Sequence, residues 1–574
     1  MSKVVVIDAE TDENDQVRLI GLASSPSRVF IVPGAGAAAR APWSSDSITW
    51  LGHNIRSDQH WLLDAGITLR RIEDTMLQAH LLDENRRVGL KNLALQHLSP
   101  EVYWRYVAPL LKDAVKRGAL AYDELARYCV GDCAVTLLLF DIFSRQMAEY
   151  PRLEKIYRHL SLPLSQALLP VERRGVPFDV NQANGLYYDL GVQAGNLTMM
   201  LNQQAGKDLN WNSDTQVAAL LYGEYKITPP HLTKSKKRGS VDEKALMKIR
   251  YSHPVVETLV EHRHVTKQME IIESWRSRAR DGRVYPTYSI PGTVTGRLSG
   301  RNPNPQNVPT YSRIRALIRS PHAERCILAA DYRTIELGVA AWLFEEPKML
   351  AAYVEQILHG GEDLHTKTAT ALLGRPPRDK LERKKYGKTP NFGLLYQQGV
   401  EGFMEYAAKQ GVKYTLEQSA DVHGAWHALY PGIREGWAKY GMMLHQYGYV
   451  EMPSGRRRRL PEYHSANSRL RARAWREGCN APVQGTAGEF THIAAILSQE
   501  PMLLKFDAQL ILHVHDSLVF DVPIVTVGDA GPMLKRIMEQ DVPAYFEGHF
   551  GPVGIPLGAE ISTGPSWGEQ VEWK

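Results

Sequence analysis

Leu510-Ile511-Leu512-His513-Val514-His515-Asp516-Ser517-Leu518-Val519-Phe520 reads as two apolar strands meeting at a His-Asp-Ser turn, a hairpin that presents Asp516 at its tip. Far upstream, Cys326 to Ala330 is a short apolar strand ending in Asp331-Tyr332-Arg333-Thr334-Ile335-Glu336-Leu337, where a helical pattern begins. Two lone aspartates on adjacent strands would form a cradle for two metal ions, so Asp331 and Asp516 are the first candidate ligands. His513 and His515 imitate a zinc pair, but no third ligand stands near them in the sequence. Strand-like pieces alternating with long helical segments beyond residue 280 predict a mixed α+β domain.

Between the two aspartates lies Lys384-Lys385-Tyr386-Gly387-Lys388-Thr389-Pro390-Asn391-Phe392-Gly393-Leu394-Leu395-Tyr396. On a helix, Lys384, Lys388, Phe392 and Tyr396 recur every four residues and form one stripe. Two cations to neutralise a triphosphate, followed by two rings on which a base can stack, match the layout of a nucleotide. A stripe of Phe and Tyr alone is usually core; the cations on the same face argue otherwise. Pro390 inside the pattern predicts a kink.

The N-terminus opens with Val4-Val5-Val6-Ile7, a strand that ends in Asp8 and Glu10, two residues apart and so on one face. Asn54-Ile55-Arg56-Ser57-Asp58 and Tyr128-Cys129-Val130-Gly131-Asp132 follow, with Tyr128 and Asp132 one helical turn apart. Any one of these acids is more commonly a helix cap or a solvated side chain. Jointly they suggest four carboxylates and a phenol around two divalent ions, roughly 4 Å apart, flanking a phosphodiester.

A chain of 574 residues is too long for one core, so about two to four domains are expected. No apolar run approaches the roughly 20 residues of a membrane span, and the start lacks the basic region and cleavage site of a secretory signal. No membrane association is expected. Four scattered cysteines suit a reducing compartment, and Cys129 and Cys133 read as buried small hydrophobes. A net charge of +5 is too mild to argue for nucleic acid by itself. Local clusters carry that case: the loop with Lys234, Lys236, Lys237 and Arg238, and the run Arg456 to Arg459. Val4 to Ile7 and Val29 to Val32 read as buried strands and Leu120 to Phe143 as a helix, an α/β pattern that gives way near Pro151 to amphipathic helices.

The order DxE, NxxxD, YxxxD across the first domain resembles the DEDDy class of 3′→5′ exonucleases. That resemblance implies Asp8, Glu10, Asp58 and Asp132 as metal ligands and Tyr128 as the residue that positions the attacking water. From about residue 160 to the end the chain resembles family A DNA polymerases: DYRTIEL is similar to motif A, the Lys-Lys-Phe-Tyr stripe to motif B, and HVHDSLVF to motif C. Thr295-Gly296-Arg297-Leu298-Ser299 with Asn304, Gln306 and Asn307 is similar to the primer and minor-groove contacts. Arg476, Asn480 and Gln484 resemble template and primer contacts, as does His515, and Asp363-Leu364-His365 resembles the segment with the triphosphate-contacting His.

The resemblance implies an RNase H-like exonuclease domain over 1–150 and a right-hand polymerase domain over 151–574. Within the latter it implies a thumb at about 185–280, a palm at about 281–340 and 440–574, and fingers at about 341–440. It also implies dNMP addition to a primer 3′-hydroxyl with pyrophosphate release, run by two Mg²⁺ ions per active site with Mn²⁺ as a substitute. Asp331 and Asp516 would hold the metal, and Lys388 would neutralise and protonate the leaving group. Glu336 against Tyr396 would exclude a 2′-hydroxyl, and Phe392, lacking a hydroxyl, would discriminate against dideoxynucleotides.

Gly338, Lys384, Pro390 and Ser517 depart from the family pattern, and Lys384 cannot form Arg's bidentate fork on phosphate. Primer–template DNA and dNTPs are the implied partners, with a processivity factor or helicase a further candidate and a monomer as the expected state. The compact chain, in which no upstream 5′-nuclease segment is expected, leans toward a phage-type replicase in the cytoplasm, the host's if phage-encoded. A single-stranded exonuclease with a merely DNA-binding C-terminal half is disfavoured by both aspartates. An RNA polymerase is disfavoured by Glu336, and a scaffold by the number of metal-type residues.

Overall fold

The apolar run at the N-terminus becomes the middle strand of a five-stranded sheet. In the computed structural model, which describes residues 3–34, 36–39, 43–108, 120–235, 237–310 and 313–573, this sheet comprises β1 (Lys3–Thr11), β2 (Val17–Ser25), β3 (Arg28–Pro33), β4 (Ile48–Gly52) and β5 (Ile72–Asp74) in the order β3-β2-β1-β4-β5. The β1–β2 and β2–β3 pairs are antiparallel, and β4 and β5 continue parallel to β1. Because β1 is central, both its faces are covered: Ile7 and Ala9 pack with Trp50, Ile55 and Leu62, and Val6 with Leu125, Cys129 and Cys133. Both cysteines are fully buried on helix Tyr122–Ala148, as expected. A Cβ on Gly21 would meet their sulfurs at 2.5 and 2.6 Å, so a glycine there lets helix and sheet approach. The expectation for Val29 to Val32 is corrected: β3 is the sheet edge and only half-buried, Val29 and Ile31 packing partly against one core and Val32 against the other, with Phe30 56% exposed.

After Gly175, with φ 68° at the end of helix Leu162–Arg174, two long helices, Val180–Ala205 and Pro254–Arg276, lie side by side. Their far end carries its own small core of Leu201, Trp211, Leu221, Val241, Leu246 and Leu259. Lys234 and Lys237 are exposed on the loop at this end, and Lys236 lies outside the described residues.

The second sheet contains β6 (Arg325–Tyr332), β7 (Gln509–Val514), β8 (Ser517–Pro523), β9 (Ala559–Ser566) and β10 (Glu569–Glu572), antiparallel in the order β7-β8-β6-β9-β10. Alternation along β6 sends Leu328 and Ala330 into one core and Ile327 and Ala329 into another. The 39-residue helix Ser468–Phe506, about 58 Å long at the usual rise, crosses near this sheet, and helices between Ile335 and Tyr447 pack around Tyr353, Phe403 and Trp426.

The run Arg456 to Arg459 does not face outward as a phosphate grip, which corrects its sequence reading. Arg456 is buried against Glu489 at 2.8 Å, and Arg457 pairs with Glu451 at 3.0 Å. Arg458 reaches Glu84 at 3.3 Å and Glu477 at 3.1 Å, and Arg459 reaches Glu84 at 2.7 Å. Glu84 is 7% exposed, so the run ties the N-terminal unit to the rest of the chain. Among the described residues no helix is long and apolar enough to cross a membrane.

Candidate active sites

The pleat of β1 sends Asp8 and Glu10 to one face, over helix Tyr122–Ala148, which delivers Tyr128 and Asp132 from successive turns. Helix Ile55–Asp64 brings Asp58, whose Oδ1 accepts the Ala9 N–H at 3.3 Å. All five line one cavity of about 490 Å³ together with His53, Trp61 and Lys91. Oxygens of Asp8, Glu10 and Asp132 lie within 4.8 Å of one another. Burial and then the charge of Asp8 push the Asp58 carboxyl well above the usual range. An all-oxygen set under such mutual repulsion suits hard divalent cations, which would relieve it. The thiols of Cys129 and Cys133 also approach Asp8, but their pKa values are raised, the first by its hydrogen bond with the second and by burial. They stay protonated and pack.

At the second sheet, β6 extends through Asp331 and Tyr332, and the hairpin β7–β8 turns at His515, with φ 51°, and Asp516. Register places Asp331 opposite Ser517, and the Tyr332 N–H donates to the Asp516 carbonyl at 3.2 Å. The two aspartates, distant in sequence, therefore open into one cavity of about 760 Å³. Burial pushes Asp516 up to about 7, with Arg297 opposing and Glu336 and Asp331 adding to the rise. Its Oδ1 is buried without a hydrogen-bond partner, 3.9 Å from Arg297. Desolvation and then the charge of Glu560 push Asp331 up to about 6, with Arg315 opposing. An orphaned carboxylate oxygen beside a second acid fits a bound divalent ion.

Across the cleft stand His365, Lys388 and Phe392, with the His and Phe rings 5.5 Å apart. His365 is fixed by a chain of bonds. Trp426 Nε1 donates to the Asn391 carbonyl oxygen at 2.8 Å, which turns the Asn391 amide nitrogen toward Nδ1 of His365 at 3.1 Å. Burial and the nearby Arg383 lower the imidazole to about 4, so it is neutral; with Nδ1 accepting, Nε2 carries the proton as a donor. Glu336 accepts from both Tyr396 and Arg297, as expected for Tyr396.

Lys384 is corrected. Residues Lys384–Lys388 form a π-turn in which the Thr389 N–H bonds back to the Lys384 carbonyl, and Pro390 follows at the start of helix Thr389–Leu395. The wider turn rotates what precedes it, so Arg383 lines the cleft, held by Asp363 at 2.6 Å, while Lys384 lies near Gly411. The four-residue stripe therefore breaks at its first member, and the proline that signalled a kink was the clue.

Gln306 is also placed differently from a free DNA contact. Its amide donates to the His513 carbonyl at 2.9 Å and accepts the His515 N–H at 2.8 Å, clamping the Asp516 hairpin. Asn304 caps its own turn by accepting from the Gln306 N–H. The Gln484 carbonyl accepts from Arg297 Nε at 3.3 Å. Asn307 and Arg476 are exposed, Asn480 is half-buried, and His515 opens to the cleft. Glu560, paired in register with Asp331, was missed by the sequence reading; its signal lay only in the alternation of β9.

The model of DNA polymerase family A matches residues 181–569, and that of a 3′-5′ exonuclease matches residues 2–148. DNA polymerase I of Chloroflexus aurantiacus is 30% identical over 96% of this chain and 59% of that protein. The thermostable DNA polymerase I of Thermus thermophilus is 30% identical over 88% of this chain and 56% of its own length. The chain thus spans somewhat over half the length of these relatives. A solved structure of the POL domain of Pol1 from M. smegmatis, in complex with DNA primer-template and dNTP, superimposes with a TM-score of 0.82 at 23% identity, covering 98% of this chain and 95% of that one.

Proposed function

Since the chain belongs to DNA polymerase family A and carries a 3′-5′ exonuclease segment, we propose that it adds deoxynucleotides to a primer 3′-hydroxyl under template direction and removes mispaired ends. The observation that carries this reading is the meeting of Asp331 and Asp516 in one cleft, facing Lys388, Phe392 and His365. Divalent cations held by the two aspartates, Mg²⁺ with Mn²⁺ as a substitute, would activate the attacking hydroxyl and offset charge on the leaving oxygen.

The chain's own groups do the rest. Lys388, Arg383 and the Nε2–H of His365 bind phosphate oxygens as three donors on one wall, and Phe392 supplies the ring against which the base stacks. Glu336, drawn in by Tyr396 and Arg297, occupies the floor where a 2′-hydroxyl would need room, which selects deoxyribose. In the second cavity Asp8, Glu10, Asp58 and Asp132 would hold divalent ions, which would supply a hydroxide-like water for cleavage of the terminal phosphodiester, and Tyr128 orients that water. Residues 1–150 serve as the exonuclease domain and 151–574 as the polymerase domain. Its thumb lies at about 185–280, its palm at about 281–340 and 440–574, and its fingers at about 341–440. Primer–template DNA is the partner, as the bound DNA and dNTP of the M. smegmatis structure suggest by likeness.

Extension of a primed template in Mg²⁺ tests the reading: full-length product with dNTPs and little with rNTPs is expected. Absence of any extension, or equal use of both sugars, would contradict it.

A further inference from the structure

Apart from the two carboxylate clefts, another cavity of about 550 Å³ lies between the end of the long helix pair and the helix that follows the one carrying Phe392. One wall comes from helix Glu243–Lys248 and the turn after it, the other from helix Val400–Lys409 and the loop to Tyr414. Its apolar surface comes from Met247, Met404, Tyr251 and Tyr414, and Lys244, Lys248, Arg250, Lys409 and Lys413 surround it against a single acid, Glu405. Lys248 bridges to Glu405 at 2.5 Å, and Lys413 sits 4.6 Å from the Tyr251 ring centroid, so the two walls touch. The Tyr251 side chain is nevertheless 66% exposed. The wall is coupled to the nucleotide side: Tyr414 donates to the backbone carbonyl of Lys385, inside the π-turn that precedes Lys388.

An exposed ring ringed by cations is what single-stranded nucleic acid uses, because every base has a face to stack and every nucleotide brings a phosphate to neutralise. Double-stranded DNA has no unstacked base to offer. A cavity of this size admits one nucleoside; with Lys248 bridged to Glu405 and Arg250 to Glu257 at 3.2 Å, the lysines Lys244, Lys409 and Lys413 fit a phosphodiester chain running past it. A protein partner would need acidic side chains without the benefit of the ring pocket, which makes it the weaker fit.

We propose that this cavity binds an unpaired nucleotide of the single-stranded template, with its base against Tyr251 and its phosphates on Lys413, Lys409 and Lys244. Occupancy replaces the Lys248–Glu405 bridge, so the template strand itself joins the two walls. The inference rests on the polymerase reading given above.

Binding of fluorescently labelled primer–template with a 5′ single-stranded overhang, compared with a blunt duplex of the same paired length, tests it. Tyr251→Ala and Lys413→Glu are expected to weaken overhang binding by at least about fivefold, the loss of one stacked base, with blunt duplex binding unchanged. Tyr251→Phe, which keeps the ring, should restore overhang affinity. Equal loss on both DNAs, or loss on neither, would overturn the proposal while leaving the polymerase reading in place. Wild-type protein that binds neither DNA would overturn both.

Discussion

With its pKa pushed up to about 7 by burial, Asp516 keeps its proton in the metal-free fold at a pH where the unfolded chain, with Asp near ~4, has released it. Folding without metal therefore takes up a proton between about pH 4 and pH 7, and stability falls as the pH rises through that window. Thermal melts of the metal-free protein should show Asp516→Asn gaining on wild type between about pH 5 and pH 8, by about 1–3 kcal/mol. Mg²⁺ at the higher pH should stabilise the wild type more than the variant, which keeps only the ions held by the N-terminal carboxylate cleft. At Glu336, removal of the carboxylate in Glu336→Ala opens the sugar floor. The ratio of kcat/KM for dNTP over rNTP should fall by about tenfold or more, read by single-nucleotide insertion. The residue types at both clefts were legible because acids at strand ends and cations one turn apart leave a pattern. Arg383 was not legible: a π-turn inserts a residue into the helical count, and a fixed period of four cannot register it.

Among the elements, the ribbon holding Arg456 to Arg459 and the loop holding Lys234 and Lys237 looked alike as charge clusters and differ in what they meet. Of the acids that absorb the arginine run, Glu451 faces Arg457 across one hairpin, but Glu84, and Glu477 and Glu489 on the helix Ser468–Phe506, are distant in sequence, so no local pattern could announce them. Arg456→Ala would leave Glu489, 1% exposed, as an unpaired buried charge, and should cost about 3–5 kcal/mol in denaturant unfolding. Lys234→Ala and Lys237→Ala should each lower the salt slope of DNA binding by about one, whereas Arg457→Ala should leave it unchanged. Gly338 belongs to the same scale. A Cβ there would meet the Tyr353 ring at 2.4 Å, so this departure from the family pattern makes room for an aromatic packed from the neighbouring helix. The central strands β1 and β6 and the hairpin β7–β8 were legible from apolar runs flanked by acids, whereas β2, β4, β5, β9 and β10 were not. The exposure of β3 was not, because edge position depends on strand order, which four apolar residues do not encode.

At the scale of the whole molecule, two carboxylate clefts sit on two separate sheets, each built where a central strand releases its acids toward a long helix or a hairpin. They are joined by buried polar links: Glu84 to the arginine ribbon, and Glu172 to Arg56 at 3.3 Å and His60 at 2.9 Å. This separation predicts that the two chemistries can be removed one at a time. The most direct measurement is a paired assay of primer extension and 3′-end degradation on Asp516→Ala and Asp8→Ala. Asp516→Ala should lose extension by about 10³-fold or more with degradation intact, and Asp8→Ala should show the reverse. Extension that survives in Asp516→Ala, or a single substitution that abolishes both reactions in a folded protein, would contradict the account.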